Sequence, residues 1–186
     1  MTRNAQIAET AKDEGLGKLS RMAIKDGILA EYDHEMGTTR KLLERVPDDK
    51  LAWKPHDRSW SMGVLASHIV NSIKWTDYTM NQTEFDLASV RPDELNLAAK
   101  SRAELLAWFD ANAASARQAL GKSDADYFVP WTLKQGAQEY FTMPRYNCIR
   151  SYLLNHIVHH RAQLGVYLRL NDIPVPAMYG PSADES

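Results

Sequence analysis

Residues 152–164 read Tyr152-Leu153-Leu154-Asn155-His156-Ile157-Val158-His159-His160-Arg161-Ala162-Gln163-Leu164. This segment holds three of the chain's six histidines within five residues. At 100° per residue, one helical face collects Ile149, Tyr152, Leu153, His156, His160, Leu164 and Tyr167. A helix normally commits such an apolar face to the core. The spacing therefore predicts a long amphipathic helix with two histidines pointing inward.

Two neighbouring imidazoles on a buried face are costly unless something binds them. A divalent metal ion is the simplest candidate, because His156 and His160 form an i, i+4 pair on successive turns. His159 diverges from the centre of the face, so we interpret it as a flanking or supporting residue. Cys148 lies roughly 12 Å along the axis from His156, too far to join the same metal, and is expected to be a packed thiol.

A third candidate ligand, His68, lies on the inward stripe of the second predicted helix. Ser59 or Ser61 can cap this helix, which the pattern extends to about Asn81. On its own, His68 fits a hydrogen-bonded core histidine better than a ligand. Together with the pair on the last helix, it favours a metal site built between facing helices.

Two further helices complete the pattern. The first runs from about Leu19 to Val46, and the third begins at a Ser-x-x-Glu capping box and covers about Ser101 to Leu120. His34 lies roughly opposite the apolar stripe of the first helix, and His56 follows a proline in a polar loop. We expect both of these histidines in solvent.

Residues 127–142 differ from the rest, because aromatic and β-branched residues flank a Lys-Gln-Gly turn. This pattern predicts a short hairpin or an extended excursion, which Pro130 limits to a sheet edge. We expect Thr142 to cap the last helix, which ends near Asn171. Four long amphipathic helices with short to moderate connections predict an all-α fold, a four-helix bundle with this excursion before the last helix.

The 186 residues suit one domain, which we place at 19–186 after a polar N-terminal tail at 1–18. The net charge of −2 offers no basic surplus for phosphates, so we expect no nucleic-acid partner. No apolar run approaches the ~20 residues of a membrane span, and the N-terminus lacks the apolar core of a signal peptide. The single cysteine excludes an internal disulfide and fits a reducing cytoplasm.

The three candidate histidine ligands limit which metals can bind and what kind of site they form. Three neutral imidazoles suit zinc, nickel, iron or copper, whereas calcium and magnesium prefer oxygen ligands. Three protein ligands leave a coordination position open, which is typical of catalytic sites. Carboxylates are scarce on the two histidine faces, so a di-iron cluster is not supported.

The sequence resembles the DinB family, also called DinB/YfiT-like metalloenzymes. The resemblance spans most of the chain from the first helix onward. Three segments carry it. The first is Trp60-Ser61-Met62-Gly63-Val64-Leu65-Ala66-Ser67-His68, and the second is His156-Ile157-Val158-His159-His160-Arg161-Ala162-Gln163-Leu164, which contains the motif H-x-x-H-H-R-x-Q. The third is the tail from Leu168-Arg169-Leu170-Asn171 through Ile173-Pro174-Val175-Pro176 to Tyr179-Gly180-Pro181-Ser182-Ala183-Asp184-Glu185.

The resemblance implies an up-down-down-up four-helix bundle with a divalent metal, most often zinc or nickel, held by His68, His156 and His160. It also implies a homodimer. Relatives in the superfamily include S-transferases that use low-molecular-weight thiols such as bacillithiol or mycothiol, and a thiol-dependent maleylpyruvate isomerase. We therefore expect a metal-dependent enzyme acting on a small molecule, with a thiol-dependent S-transferase preferred. The alternatives are a metal-dependent hydrolase, a non-catalytic metal-binding stress or interaction protein, and a metal-free bundle.

The sequence leaves the roles of the residues near the predicted ligands open. Arg161 can bind an anionic substrate, although surface or structural use is favoured, and Gln163 can support a ligand or form a polar helix edge. Trp60, Trp75 and Tyr179 can line a pocket, but aromatic residues at helical spacing are more often core. The residue pattern identifies no general acid or base.

Overall fold

The structure is a computed structural model that describes residues 23–91 and 97–185. Its first helix, α1, spans Ile24–Leu43 and begins after an extended Ala23. The predicted tail at 1–18 and the predicted start at Leu19 lie outside the described residues. The helix ends at Leu43, three residues before the predicted end at Val46, and a short 3₁₀ turn at Asp48–Lys50 follows.

The second predicted helix is two helices, α2 at Met62–Ser72 and α3 at Trp75–Asn81. The Ser61 side chain caps α2 by accepting a hydrogen bond from the Val64 backbone N–H at 3.3 Å. Ser61 is therefore the N-cap, one of the two candidates that the sequence offered. At the other end of α2, the Ser72 hydroxyl donates to the His68 carbonyl at 2.7 Å. Such bonding to the preceding turn competes with the helix ladder and bends helices, which fits the break that follows.

Helix α4 spans Arg102–Leu120, as predicted. The Ser101 hydroxyl accepts a hydrogen bond from the Glu104 N–H at 3.1 Å. The Glu104 carboxylate, however, bonds to the Lys100 N–H at 2.7 Å rather than to that of Ser101, so only half of the predicted capping box forms. A single-turn helix, α5 at Asp124–Tyr127, follows.

The last helical stretch has three continuous parts: α6 at Arg145–Cys148, a π-helical segment at Ile149–Leu154, and α7 at Asn155–Arg169. The predicted Thr142 cap is wrong, because Pro144 occupies the N-cap and Thr142 lies in a strand. Its hydroxyl is 2.7 Å from the hydroxyl of Thr132 on the neighbouring strand. In a π segment each backbone hydrogen bond spans one residue more than in an α-helix, and such segments are frequent at functional sites.

The strands β1 (Glu84–Asp86), β2 (Pro130–Gln135) and β3 (Gln138–Pro144) form a sheet in the order β1-β2-β3. Strands β2 and β3 are antiparallel and form the predicted hairpin, with Gly136 at φ 58° in the turn. Strand β1 pairs in parallel with β2 and lies in a segment where the sequence pattern predicted neither a helix nor a strand. The all-α prediction is therefore wrong: the fold is mostly helical with a small sheet.

Pro130 does not confine its strand to the edge of the sheet. Strand β2 is central, and Pro130 is its first residue, ahead of the pairing of Glu84 with Thr132. A proline at this position removes no ladder hydrogen bond with β1, since the parallel pairing begins two residues later.

The main core forms where α1 and α2 each pack against both α4 and α7. Large buried side chains of this core include Tyr32, Leu42, Met62, Leu65, Ile69 and Leu105. A smaller cluster of Phe85, Trp131 and Cys148 joins the sheet to the helices. Within residues 23–91 and 97–185, none of the helices has both the length and the hydropathy needed to cross a lipid bilayer.

Candidate metal centre

The structure brings the three predicted histidines together. His68 comes from α2, and His156 and His160 come from successive turns of α7. The Nε2 atom of His156 lies 3.3 Å from that of His68 and 2.8 Å from that of His160. The possible ligand atoms of all three side chains lie within 4.8 Å of one another, and each residue is partly buried.

This donor set fits a small divalent cation. In a tetrahedral site with metal–nitrogen bonds of about 2.0–2.1 Å, two ligand nitrogens lie about 3.3–3.4 Å apart. The His68–His156 separation of 3.3 Å meets this value, and the His156–His160 separation of 2.8 Å needs to open by about half an ångström. Among the described residues, no carboxylate or thiol joins this cluster, so three protein ligands would leave one position open.

Hydrogen bonds between neutral imidazoles explain the cluster less well. The His156 ring also hydrogen-bonds to the backbone carbonyl of Tyr152. Because the Nε2 atom faces the other two rings, Nδ1 must donate this bond, which leaves a single lone pair on Nε2. That lone pair can accept a hydrogen bond from the ring N–H of either His68 or His160, but not from both. A cation, in contrast, accepts all three lone pairs at once.

A hydrogen-bonded chain orients His160 from the side away from the cluster. The Oε1 atom of Gln163 lies 2.9 Å from Nδ1 of His160, and the Nε2 atom of Gln163 lies 3.2 Å from Nε2 of His159. An acceptor at Nδ1 holds the proton there and frees Nε2 for a metal, which is the usual arrangement around metal-binding histidines. His159 thus supports the site through Gln163 and is not a member of the cluster.

The surroundings keep these imidazoles neutral. Burial, and then the neighbouring rings of His160 and His156, lower the pKa of His68 from 6.5 to about 4. Burial also lowers the pKa of His156 and of His160, although the hydrogen bond to Gln163 opposes this for His160. Neutral imidazole is the form that binds metals, so near pH 7 the three side chains can act as metal ligands without first losing a proton.

The histidines lie at the edge of the buried face of α7 and not at its centre. The most buried side chains of α7 are Ile157, Arg161, Leu164 and Leu168. Tyr152, which uniform helical spacing predicts on the inward face, is 47% exposed. It lies in the π-helical segment, where the rotation per residue departs from 100°. An edge position makes the cluster reachable from outside the core.

Trp60 covers one side of the cluster. Its ring centroid lies 4.8 Å from that of His68 and 5.8 Å from that of His160, with the second pair stacked. Tyr167 on α7 donates a hydrogen bond to the Trp60 carbonyl at 3.3 Å. Trp60 is 48% exposed, so it covers the histidines from the surface and is not part of the core.

A cavity of about 170 Å³ opens beside His68 and His156. Its other walls come from α3, from the sheet, from the last residue of α6 and from the π-helical segment, and they include Trp75, Thr76, Trp131, Phe141, Cys148 and Tyr152. Sequence reasoning identified Trp75 as a pocket candidate and missed the other wall residues. The four-residue steps from His68 through Ser72 to Thr76 were the available signal, because they extend the face of His68 beyond the break.

The only cysteine belongs to this cavity and is a packed thiol, as predicted. Cys148 is 2% exposed, and burial raises the pKa of its thiol from 9.0 to about 11. A thiol with such a pKa carries very little thiolate near pH 7 and is a poor nucleophile.

Arg161 and Tyr179 take structural roles away from the cluster. Arg161 is 1% exposed and pairs with the buried Glu35, so the surface interpretation is wrong and the structural one is confirmed. The Tyr179 hydroxyl donates to the Glu35 carboxylate at 2.9 Å, and its ring lies 5.2 Å from the Arg161 guanidinium carbon. Tyr179 therefore fixes the C-terminal tail to α1 and α7. His34 is exposed, as is His56 in its loop.

Comparisons with known proteins agree with this fold. The chain is 27% identical over 161 residues to the uncharacterised protein YrdA of Bacillus subtilis (strain 168), covering 86% of this chain and 90% of that protein. The solved structure of a DinB-like protein from Bacillus cereus ATCC 10987 matches with a TM-score of 0.67 at 23% identity, covering 84% of this chain and 98% of that one. The DinB-like protein YjoA from Bacillus subtilis matches with a TM-score of 0.61 at 14% identity, covering 86% and 98%. The sequence model of the DinB family matches residues 22–186, and the chain belongs to this family.

Proposed function

We propose that this protein is a divalent-metal-dependent enzyme in which His68, His156 and His160 hold the metal. One observation carries the proposal: three imidazole nitrogens from two helices converge within 4.8 Å of one another beside an apolar cavity. A structural metal site would use a fourth protein ligand, and none of the described residues supplies one. The open position therefore favours chemistry over a purely structural role.

The preferred reaction is transfer of a low-molecular-weight thiol to an electrophilic small molecule. A bound divalent cation, for which zinc and nickel are the preferred choices, supplies a charge that lowers the pKa of a thiol or a water molecule next to it. The chain's own thiol does not compete, because Cys148 is buried and its pKa is about 11. The nucleophile would then come from a separate thiol cofactor.

The remaining residues support this role by position. Gln163 and the Tyr152 carbonyl orient the two α7 imidazoles, and Trp60 shields the cluster on one side. The mostly apolar walls of the cavity next to His68 and His156 would shield a bound small substrate from water.

Other properties of the protein are proposed on the family resemblance and the sequence. They are an up-down-down-up helix order, a single domain over 19–186, a homodimer in the cytoplasm and a small-molecule substrate. The net charge of −2 supports the absence of a nucleic-acid partner, and the lack of a long apolar run supports the absence of a membrane partner.

The first test is elemental analysis of protein purified without a histidine tag. The wild type is expected to carry about one equivalent of zinc or nickel, and His68→Ala and His160→Ala are expected to lose it. His34→Ala is the matched control, because His34 is exposed and outside the cluster. A wild-type protein that neither contains nor takes up zinc or nickel would overturn the metal site and leave a metal-free bundle.

The second test separates an enzyme from a metal-binding protein without activity. Conjugation of monobromobimane is measured with a panel of low-molecular-weight thiols, and ester hydrolysis is measured beside it. Thiol-dependent turnover that His160→Ala abolishes and His34→Ala retains supports the S-transferase. Ester cleavage without thiol dependence supports the hydrolase, which a cation over an open position also allows. Full metal content with no turnover in either panel supports a non-catalytic stress or interaction protein.

A further inference from the structure

We propose that the stacked rings of Tyr152 and Phe141 limit the size of the substrate group that enters the cavity beside the histidines, and that this group is an uncharged single ring. This inference rests on the proposed function, since it names the substrate class of the same site. It is carried by the position of Tyr152, by the volume of the cavity and by the chemistry of its walls.

Tyr152 lies where the cavity meets solvent. Among the described residues of the lining, only Tyr152 is exposed, at 47%, whereas Trp131 and Cys148 are each 2% exposed. The Tyr152 ring stacks on that of Phe141, with centroids 4.8 Å apart and an interplanar angle of 8°. Because Tyr152 belongs to the π-helical segment and Phe141 to β3, the stack joins these two elements at the mouth of the cavity.

The volume of the cavity suits one ring. It is about 170 Å³. An apolar cavity of about 150 Å³ engineered in another protein binds benzene, so this one holds a benzene ring with a small substituent. A second fused ring would press against the stack, and forcing atoms into a filled space is unfavourable. Shortening either ring of the stack should therefore admit larger groups.

The walls favour an uncharged group. The half-buried members of the lining offer contact area, and besides the two histidines these are Trp75, Leu133 and Phe141. The described part of the lining contains no Asp, Glu, Lys or Arg. An ionised group placed there would lose its hydration without gaining a partner of opposite charge, which is strongly unfavourable.

The hydroxyls in the lining add little polar surface. Ser72, Thr76 and Thr79 are each at most 4% exposed. The Ser72 hydroxyl is already bonded to the His68 carbonyl at 2.7 Å. Binding in this cavity therefore depends on apolar contact and shape.

These walls suit the electrophile better than the thiol. His68 and His156 belong to the lining, so a ring bound in the cavity lies beside the proposed metal site. A low-molecular-weight thiol that carries charged groups does not suit the apolar walls. The substrate class is therefore an electrophilic small molecule whose reactive group is attached to an uncharged single ring.

Calorimetric titration of the full chain with toluene, indole and benzoate tests this inference. The protein is titrated as purified and again after EDTA treatment, so that benzoate cannot bind through a metal. We expect toluene to bind, indole to bind about tenfold more weakly because its second ring meets the stack, and benzoate to bind least after EDTA treatment. In Tyr152→Ala the indole affinity is expected to rise about tenfold, while the toluene affinity changes little.

Three further variants make the result specific. Tyr140→Ala is the matched control, because Tyr140 is also 47% exposed but lies outside the described lining, and it should bind both probes like the wild type. Tyr152→Phe keeps the ring and should keep the preference for toluene. Phe141→Leu shortens the other ring of the stack and should raise the indole affinity as Tyr152→Ala does, so the test stands even where Tyr152→Ala fails to fold.

The outcomes are distinguishable from those of the proposed function. Absence of toluene binding, indole binding as tight as toluene in the wild type, or an unchanged preference in both Tyr152→Ala and Phe141→Leu would overturn the inference. Metal uptake without toluene binding would overturn this inference alone. Selective toluene binding with no metal uptake would overturn the metalloenzyme and leave the role of the stack standing.

Discussion

The Arg161 Nη2 atom lies 2.6 Å from Oε2 of Glu35, and the two side chains are only 1% and 7% exposed. Arg161 directly follows His160, and its Nη1 atom also donates to the Glu35 carbonyl at 3.0 Å and to the Thr39 hydroxyl at 3.1 Å. This one guanidinium therefore ties α7 to α1. Charged groups so deeply buried need their partners, because desolvation is otherwise uncompensated.

Replacing Arg161 by methionine is expected to lower the free energy of unfolding by about 3–5 kcal/mol, because Glu35 would remain as an unpaired buried charge. Urea unfolding of the metal-free protein measures the change. The control is Arg117→Met, which breaks a surface ion pair with Asp33 at 2.8 Å and should cause a much smaller loss.

The double variant Arg161→Met/Glu35→Gln completes this test. Removing both charges should recover part of the lost stability, since the main penalty of the single variant is the charge left alone. Equal losses in Arg161→Met and Arg117→Met, or no recovery in the double variant, would contradict the structural role of the buried pair.

Gln163 is expected to set the metal affinity without being a ligand. Gln163→Leu removes the 2.9 Å contact to Nδ1 of His160, and loss of such a supporting hydrogen bond costs about 10- to 100-fold in metal affinity. Competition with a zinc-binding dye measures this affinity. Gln118→Leu, an exposed glutamine on α4, is the matched control. Unchanged zinc affinity in Gln163→Leu would show that the contact does not orient the imidazole.

The metal-free protein is expected to lose stability as the pH falls from about 6.5 toward 4. Burial and the rings of His160 and His156 lower the folded pKa of His68 to about 4, whereas the unfolded chain takes up this proton near 6.5. Between these values the unfolded state binds more protons, so stability is complete above 6.5 and declines below it. Urea unfolding at a series of pH values measures the slope.

The variant His68→Gln should reduce this pH dependence, because it removes one of the three histidines whose folded pKa lies below its ordinary value. His34→Gln alters an exposed histidine and should leave the slope as it is. A slope that is the same in the wild type and in His68→Gln would assign the acid sensitivity to other groups.

The sequence was sufficient to predict features that depend on local signals. The N-caps Ser61 and Ser101 lie beside the helices that they begin, so the local sequence was enough to name them as candidates, Ser61 with Ser59 as its alternative. The histidine cluster was predictable because His156 and His160 are four residues apart and His68 lies on an inward stripe. Their role as metal ligands remains a prediction.

The features that the sequence did not predict depend on distant partners. Arg161 was expected at the surface or in a structural role, and its burial depends on Glu35, 126 residues away in the chain. Strand β1 has only three residues and exists because β2 pairs with it across more than forty positions. Trp131 of the sheet and Thr76 of α3 line the same cavity, and no periodic pattern within one element records that arrangement.

The Cys148 thiol is expected to react very slowly with iodoacetamide. Burial raises its pKa from 9.0 to about 11, so the thiolate fraction at pH 8 falls roughly 100-fold, and the low exposure slows the reagent further. Alkylation followed by mass spectrometry should show a rate that still rises with pH beyond 9 in the folded protein. In urea the rate should instead level off near the ordinary thiol pKa. Fast alkylation of the folded protein at pH 7 would contradict the packed-thiol assignment and make Cys148 a candidate for the attacking thiol beside His68 and His156.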